Sequence, residues 1–180
     1  MRPSKIHQLQ ASYSPIQDRL LLRVNTSEKM EFRFWLTRRF VQRLWPALRQ
    51  TLEAQPALAE VEGNTRGALL SFMHQHATEQ ADFQAPFQET TETITPLGPE
   101  PILVAQAAIR MADQNEQLRM LSLHPENGYG IEIAMELHLV HAFCKLLADV
   151  LATTDWQLHL GFTQMPAIQE MTMTGGRVLH

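Results

Sequence analysis

Apolar and polar residues alternate along two neighbouring stretches near the start of the chain, residues 20–24 and 32–36. The apolar positions of the two stretches are Leu20, Leu22, Val24, Phe32, Phe34 and Leu36. A period of two is typical of half-buried strands, and the polar segment between the stretches is typical of a turn. We therefore predict a β-hairpin in which Val24 faces Met30, which places the large apolar side chains on one side.

The same pattern returns 99 positions further along the chain. Residues 18–36 align without a gap with residues 117–135, and five apolar positions of the first hairpin fall on apolar positions of the second. The match continues into two stretches of helical spacing, which begin near Phe40 and Leu139. The sequence therefore predicts an α+β fold with a duplicated βββα unit, in which antiparallel sheets are backed by helices around a pseudo-two-fold axis.

We expect residues 1–180 to form one domain of consecutive segments. The segments are the first βββα copy at 1–55, a connecting helix and linker at 56–100, the second copy at 101–155, and a C-terminal strand and tail at 156–180. An additional strand should open each copy, within 6–13 and 101–111. Because Pro46 removes one backbone hydrogen bond from the first helix, that helix is predicted to be kinked or split.

Composition places the chain among globular proteins, with 44% hydrophobic and 19% charged residues in 180. The single cysteine, Cys144, has no partner for an internal disulfide, which favours a reducing, cytoplasmic setting. No apolar run approaches the length of a membrane span, and the first residues lack the apolar stretch of an export signal. We therefore expect a cytoplasmic protein that does not enter a membrane.

Charge is distributed unevenly along the chain, whose formal net charge is −4. Residues 1–50 hold ten of the 15 Lys and Arg residues but only three of the 19 Asp and Glu residues. Such a division predicts either an anionic partner for the first part or electrostatic docking of the first part on the rest of the chain.

The junction between the first hairpin and the first helix carries Thr37, Arg38 and Arg39. Thr37 is a suitable N-cap, because its hydroxyl can accept from an exposed first-turn amide. Two arginines follow at the positive end of the helix dipole, where acidic residues would stabilise the helix. Guanidinium groups and free amides together predict an anion site here. Alternatively, both arginines pair with acidic residues elsewhere in the chain or point into water.

The polar face of the first hairpin provides a second set of candidates. In the predicted register Arg23 faces Glu31, Leu21 faces Arg33 and Arg19 faces Trp35, so these groups satisfy one another. Alternatively, Arg33 and Trp35 form a basic, aromatic platform on which nucleic-acid bases stack. The corresponding face of the second copy lacks arginine and aromatic residues. A symmetric nucleic-acid surface is therefore not predicted.

No metal site, cofactor site or catalytic motif is predicted. His138, His141 and Cys144 stand at helical spacing, but Cys144 falls in the apolar stripe of its helix and the two histidines fall on the polar side. His74 and His76 diverge by about 200° on a helix and cannot chelate one ion together. Glycine-rich phosphate loops and nucleophile motifs do not occur, so the sequence favours binding over catalysis.

Two resemblances accompany these observations. The order of elements is similar to whirly-type single-stranded nucleic-acid-binding modules, in which sheets carry the ligand and helices hold the repeats together; the similarity covers about two-thirds of the chain and has no diagnostic motif. The segment DRLLLRVNT…EFRFWLTRR resembles the signature of a family of small uncharacterised bacterial proteins. That resemblance implies a bacterial cytoplasmic origin and no particular activity.

Two functions from different classes remain open. The first is a non-catalytic module that binds single-stranded nucleic acid or another polyanion. Its candidate residues are Arg19, Arg23, Arg33, Trp35, Thr37, Arg38 and Arg39. The second is a protein-interaction or scaffold domain that forms a homodimer or docks on an acidic protein partner. The sequence pI near 6.0 counts against the first function, because dedicated nucleic-acid binders are usually basic overall.

Overall fold

Two sheets and three helices make up the part of the chain that the computed structural model describes, residues 6–82, 87, 93–113 and 115–158. The first unit contains β1 (Ile6–Ser14), β2 (Arg19–Thr26), β3 (Glu31–Thr37) and α1 (Arg38–Glu53). A turn of 3-10 helix (Pro56–Leu58), α2 (Gly63–Glu79) and β4 (Ile102–Leu103) follow. The second unit contains β5 (Gln106–Ala112), β6 (Asn115–His124), β7 (Ile131–Glu136) and α3 (Leu137–Leu151).

The predicted α+β fold with a repeated βββα pattern is confirmed. Strands β1, β2 and β3 form an antiparallel meander, to which β4 adds in parallel; strands β5, β6 and β7 form a second antiparallel sheet. The central hairpins have the same register at the offset of 99, since Leu22 pairs with Phe34 and Leu121 pairs with Ile133. In each unit the helix begins directly after the third strand.

The predicted register of the first hairpin is wrong by two residues. Val24 pairs with Phe32 rather than with Met30. The hairpin closes tightly because Lys29 adopts a left-handed conformation (φ 60°), and the Thr26 N–H donates to the Met30 carbonyl at 2.9 Å. The resulting loop, residues 27–29, is of the short type that ends in a left-handed residue. The apolar side chains still share one face, because a slip of two preserves the alternation.

The strand predicted within 101–111 is divided between the two sheets. β4 lies beside β3, and the chain then crosses to β5. At the crossing, the Val104 N–H donates to the Trp35 carbonyl at 3.0 Å and the Ala105 N–H donates to the His124 carbonyl at 2.9 Å. Two residues therefore connect the sheets, and Val104 is buried in the core.

The hydrophobic core joins both sheets to the helices. Its largest fully buried side chains are Trp156, Phe34, Phe143, Leu20, Leu22, Leu36, Leu48, Leu52, Leu58, Leu121, Leu123 and Met135. α1 buries one stripe, as predicted, and continues without a break past the exposed Pro46. The helix predicted between the copies is α2. Of the strand predicted at the C-terminus, residues 156–158 form no strand, and the rest lies outside the described residues.

The glycine at the start of β7 provides a test of this packing. A Cβ atom on Gly130 would lie far inside van der Waals contact with the Leu123 carbonyl and the His124 ring, whereas a Cβ on Gly67 in α2 would meet nothing within 4 Å. We expect Gly130→Ala to lower the free energy of unfolding by about 2 kcal/mol. Gly67→Ala should raise it by about 0.5–1 kcal/mol. Urea unfolding of both variants measures these changes, and equal stability of Gly130→Ala and the wild type would contradict the packing described.

Candidate anion-binding site

The polar face of the first sheet holds two arginines directly opposite each other, Arg23 on β2 and Arg33 on β3. Like charges in this arrangement destabilise a sheet unless an anion lies between them. Glu31, only 3% exposed, provides that anion: its Oε1 atom lies 2.7 Å from Arg23 Nε and 2.7 Å from Arg33 Nε. The pairing of Arg23 with Glu31 was expected, and Arg33 joins the same carboxylate.

Both arginines also contact other residues of the same chain. Arg23 Nη1 donates to Gln10 Oε1 at 3.3 Å, and the Arg23 guanidinium carbon lies 4.2 Å from the centre of the Phe87 ring. Arg33 Nη1 donates to the Pro99 carbonyl at 3.0 Å. Part of the linker therefore lies against this face of the sheet, and the two guanidinium groups are occupied by internal partners.

The pKa of Glu31 reflects this environment. Burial opposes its ionisation, but hydrogen bonds from Arg33 and Arg23 and the charges of both arginines outweigh burial, so the pKa of Glu31 lies below its ordinary value. The ion cluster therefore stabilises the fold above the unfolded-state pKa of Glu31. That stabilisation is lost as the pH falls through the lowered folded-state value.

Removal of the Glu31 charge tests the cluster. In Glu31→Gln, Arg23 and Arg33 would face each other without a counter-ion, and we expect the free energy of unfolding to fall by about 3 kcal/mol. Glu53→Gln is a matched control, because Glu53 pairs with Arg49 at 2.6 Å on the surface and both side chains are about a third exposed. Its cost should be below about 0.5 kcal/mol. Equal losses in the two variants, measured by chemical denaturation at pH 7, would contradict the role of Glu31.

A different group of arginines lies at the N-terminus of α1, and we call it the basic corner: Arg19, Arg38, Arg39 and Arg43. The register places Arg19 opposite Thr37, so the predicted pairing of Arg19 with Trp35 is wrong for the same reason as the register. Arg38, Arg39 and Arg43 are exposed, and Arg43 lies one turn beyond Arg39. Within the described ranges, none of the four forms an ion pair with a carboxylate.

Thr37 caps α1 as predicted. It has extended backbone angles, and its hydroxyl accepts a hydrogen bond from the Phe40 N–H at 3.2 Å. The N–H groups of Arg38 and Arg39 belong to the first turn and have no intrahelical acceptor. No acidic side chain stands in the first turn of α1. The helix therefore presents backbone donors, its positive dipole end and guanidinium groups together.

One carboxylate, Asp18, lies beside the basic corner. It accepts hydrogen bonds from Trp156 Nε1 at 2.5 Å and from the Tyr13 hydroxyl at 2.9 Å. These two bonds, with a smaller contribution from the charge of Arg38, hold the pKa of Asp18 below its ordinary value. These bonds favour the ionised form of Asp18 and tie it to Tyr13 of β1 and to Trp156. Its single negative charge offsets only part of the charge of the four arginines.

Trp35 occupies the row of side chains next to Arg19 and Thr37 on the same face of the sheet. Its neighbours across the strands are Leu21 on β2 and Leu103 on β4, and the latter is 44% exposed. The indole is half-buried. An aromatic group thus adjoins the basic corner, while Arg23 and Arg33 lie on the other side of it.

Sequence reasoning missed a second polar cluster, between α2 and α3. His141 is 2% exposed, and its Nδ1 atom lies 3.2 Å from His74 Nδ1. Gln55 Nε2 donates to the Leu52 carbonyl at 2.8 Å and lies 3.2 Å from His141 Nε2. Because Gln55 presents a donor, we assign the His141 proton to Nδ1, from which it bonds to His74. His74 and His141 are 67 positions apart in the chain, so no local sequence pattern predicts their contact.

The environment of this cluster keeps both rings neutral. Burial, with the nearby His74 and His138, lowers the pKa of His141 to about 4. Burial and then the charge of Lys145 lower the pKa of His74, which Asp149 partly opposes. Cys144 also lies buried in α3, where burial raises the pKa of its thiol. Among the residues described, no three His, Cys, Asp or Glu side chains are placed to hold a metal ion.

Comparison of the chain with protein-family models, with curated proteins and with solved structures finds no match. In the described part of the chain, no helix combines the length and the apolar composition needed to cross a membrane. The arrangement of side chains is therefore the basis for a functional proposal.

The histidine cluster predicts how stability depends on pH. The folded state holds His141 neutral down to about pH 4, whereas the unfolded chain takes up a proton near 6.5. The unfolded state therefore binds more protons, and the free energy of unfolding should fall by about 2 kcal/mol between pH 7 and pH 5. His74 contributes in the same direction.

Urea unfolding across this pH range measures the effect. His141→Gln should flatten the profile, while His76→Gln, at an exposed position of α2, should leave it unchanged. An identical slope in His141→Gln and the wild type would show that another group is responsible.

Proposed function

We propose that this protein is a non-catalytic module that binds a polyanion, of the single-stranded nucleic-acid class, at the basic corner. One observation carries the proposal: the register of β2 on β3 places Arg19 opposite Thr37, the N-cap of α1, directly before the first-turn residues Arg38 and Arg39. The resemblance in element order to whirly-type modules also supports it.

The chemistry of the corner suits phosphate groups. Helix N–H donors bind anions, and a guanidinium group can give two parallel hydrogen bonds to one phosphate. Several arginines along the first two turns of α1 can follow successive phosphates of a strand. The adjacent Trp35 offers part of a ring face for a base, a contact worth about 1–3 kcal/mol in other binders of single strands.

In this proposal the sequence-predicted residues have two different roles. Thr37, Arg38, Arg39 and Arg19 contact the anion or orient the helix end, with Trp35 beside them. Arg23 and Arg33 stabilise the sheet through Glu31 and do not take part in binding.

Fluorescence anisotropy with a labelled oligothymidylate at two salt concentrations tests the proposal. We expect a Kd on the order of 1–100 μM, with affinity falling steeply as salt increases. Arg38→Ala combined with Arg39→Ala should weaken binding at least about tenfold and reduce the salt slope by about two. Arg110→Ala is the control, because it removes one exposed arginine from the second sheet.

Two results would overturn the proposal. One is the absence of saturable binding at low salt, which would favour the protein-interaction alternative. The other is an equal loss of affinity in Arg110→Ala and in the single variants Arg38→Ala and Arg39→Ala, each of which removes one charge; this result would show that only overall charge matters.

A further inference from the structure

The two copies of the repeated unit differ at the outer edge of their third strand. In the first copy a parallel strand covers this edge: Phe34 pairs with Ile102 of β4 and Trp35 with Leu103. Nearer the hairpin turn, Ile94 forms a parallel bridge with Met30. The segment between α2 and β5 thus adds two short extended pieces to β3.

The backbone bonds of this edge show which residues point outward. The Glu31 N–H donates to the Ile94 carbonyl at 2.9 Å, and the Trp35 carbonyl accepts from Val104 at 3.0 Å. In an antiparallel pair, alternate residues direct both backbone groups away from the partner strand, so Glu31, Arg33 and Trp35 face the outer edge. The second hairpin has the same register. Glu132 and Ala134 of β7 therefore direct their N–H and C=O groups outward.

Among the described residues, no strand covers this edge in the second copy. β7 is the last strand of its sheet, and within the part of the chain described here its backbone pairs with β6 alone. A row of unpaired N–H and C=O groups is a template for a further strand. The first copy shows that the same edge geometry accepts a strand in parallel orientation.

An apolar cavity of about 660 Å³ lies beside this free edge. Residues 129–133 form one wall, and the opposite wall comes from the first sheet and the linker, including Val24, Phe32 and Leu97. Its volume is typical of ligand sites, about 300–1,000 Å³. Tyr129 at its mouth is 87% exposed. The backbone of an added strand could therefore form hydrogen bonds with β7, and every second side chain of that strand could contact the apolar surface of the cavity.

The charges around the cavity indicate the composition of the occupant. Glu28 and Glu132 are the charged residues among the described lining residues. Glu132 also forms an ion pair with Arg110 of β5 at 3.4 Å, but both side chains are about half exposed, so water weakens this pair and it offsets only part of the acidic charge. A basic segment is favoured on electrostatic grounds. A second copy of this chain fits less well, because β7 paired with itself across a two-fold axis is antiparallel.

We propose that the free edge of β7 and the adjoining cavity bind an extended peptide segment of another protein. The segment lies parallel to β7, carries apolar side chains at alternate positions and has lysine or arginine at its ends. Main-chain hydrogen bonds to Glu132 and Ala134 provide affinity, and the cavity selects the apolar side chains.

Two variants at one position separate strand addition from contact with side chains. A labelled acetyl-Lys-Val-Thr-Val-Thr-Val-Lys-amide peptide serves as the probe, and the same peptide with its central amides N-methylated serves as the control probe. Since the Glu132 N–H points away from β6, Glu132→Pro removes an outward donor without breaking a bond to β6, as proline does on natural edge strands. Compared with Glu132→Ala, we expect Glu132→Pro to weaken binding of the probe about tenfold.

Amide hydrogen exchange followed by NMR provides the second readout. In the free protein the amides of Glu132 and Ala134 should exchange rapidly, while those of Ile131 and Ile133, bonded to β6, should exchange slowly. The probe should slow the first group and leave the amides of β5 unaffected.

Three outcomes would overturn the proposal. The first is slow exchange of the outward amides in the free protein, which would mean that the edge is already occupied. The second is equal affinity of the N-methylated and unmodified probes, which would indicate an apolar ligand site without strand addition. The third is equal affinity of the Glu132→Pro and Glu132→Ala variants.

Discussion

The register of β2 on β3 is the constraint from which the polar chemistry of this protein follows. Inward-facing pairs such as Leu22 with Phe34 are fully buried, and a slip of one residue would turn all of them toward water. The core thereby forces Arg23 opposite Arg33 on the other face. Burying a carboxylate is costly unless it is paired, and Glu31 is stable there because both guanidinium groups bind it. The same register places Arg19 opposite Thr37, the N-cap of α1.

The parts of the fold that the sequence predicts are those that depend on alternation and periodicity. The duplicated unit, the inward faces and the cap at Thr37 follow from residue types at fixed spacing. The register does not, because a slip of two leaves every side chain on its own face. Turn geometry decides between the two registers, and here a lysine, Lys29, takes the left-handed conformation that usually marks glycine or asparagine. The error in placing Arg19 and Trp35 has this single cause.

Contacts between distant parts of the chain account for the rest of what sequence reasoning missed. His141 corresponds to Gln42 in the first unit, which is exposed, so the repeat placed it on the polar side of its helix. His141 is buried because α2 packs on α3, and His74, which contacts it, lies on α2. In the same way Trp156 reaches Asp18 across 138 residues. Neither contact has a local signal, since each depends on how whole elements pack.

The two copies have the same order of strands and helix but present different surfaces. Position 31 of the first copy holds a glutamate that joins two arginines, whereas its counterpart, Gly130, has no side chain and lies against β6. In the first copy the linker also covers the edge of the third strand and packs Phe87 over Arg23, which leaves the helix end as the exposed basic surface. The second copy has no such cover within the described residues, so its backbone groups remain open at β7. Among the described residues, the segment between α2 and β5 pairs with the third strand of the first copy and not with that of the second, so the connection between the copies makes their surfaces different.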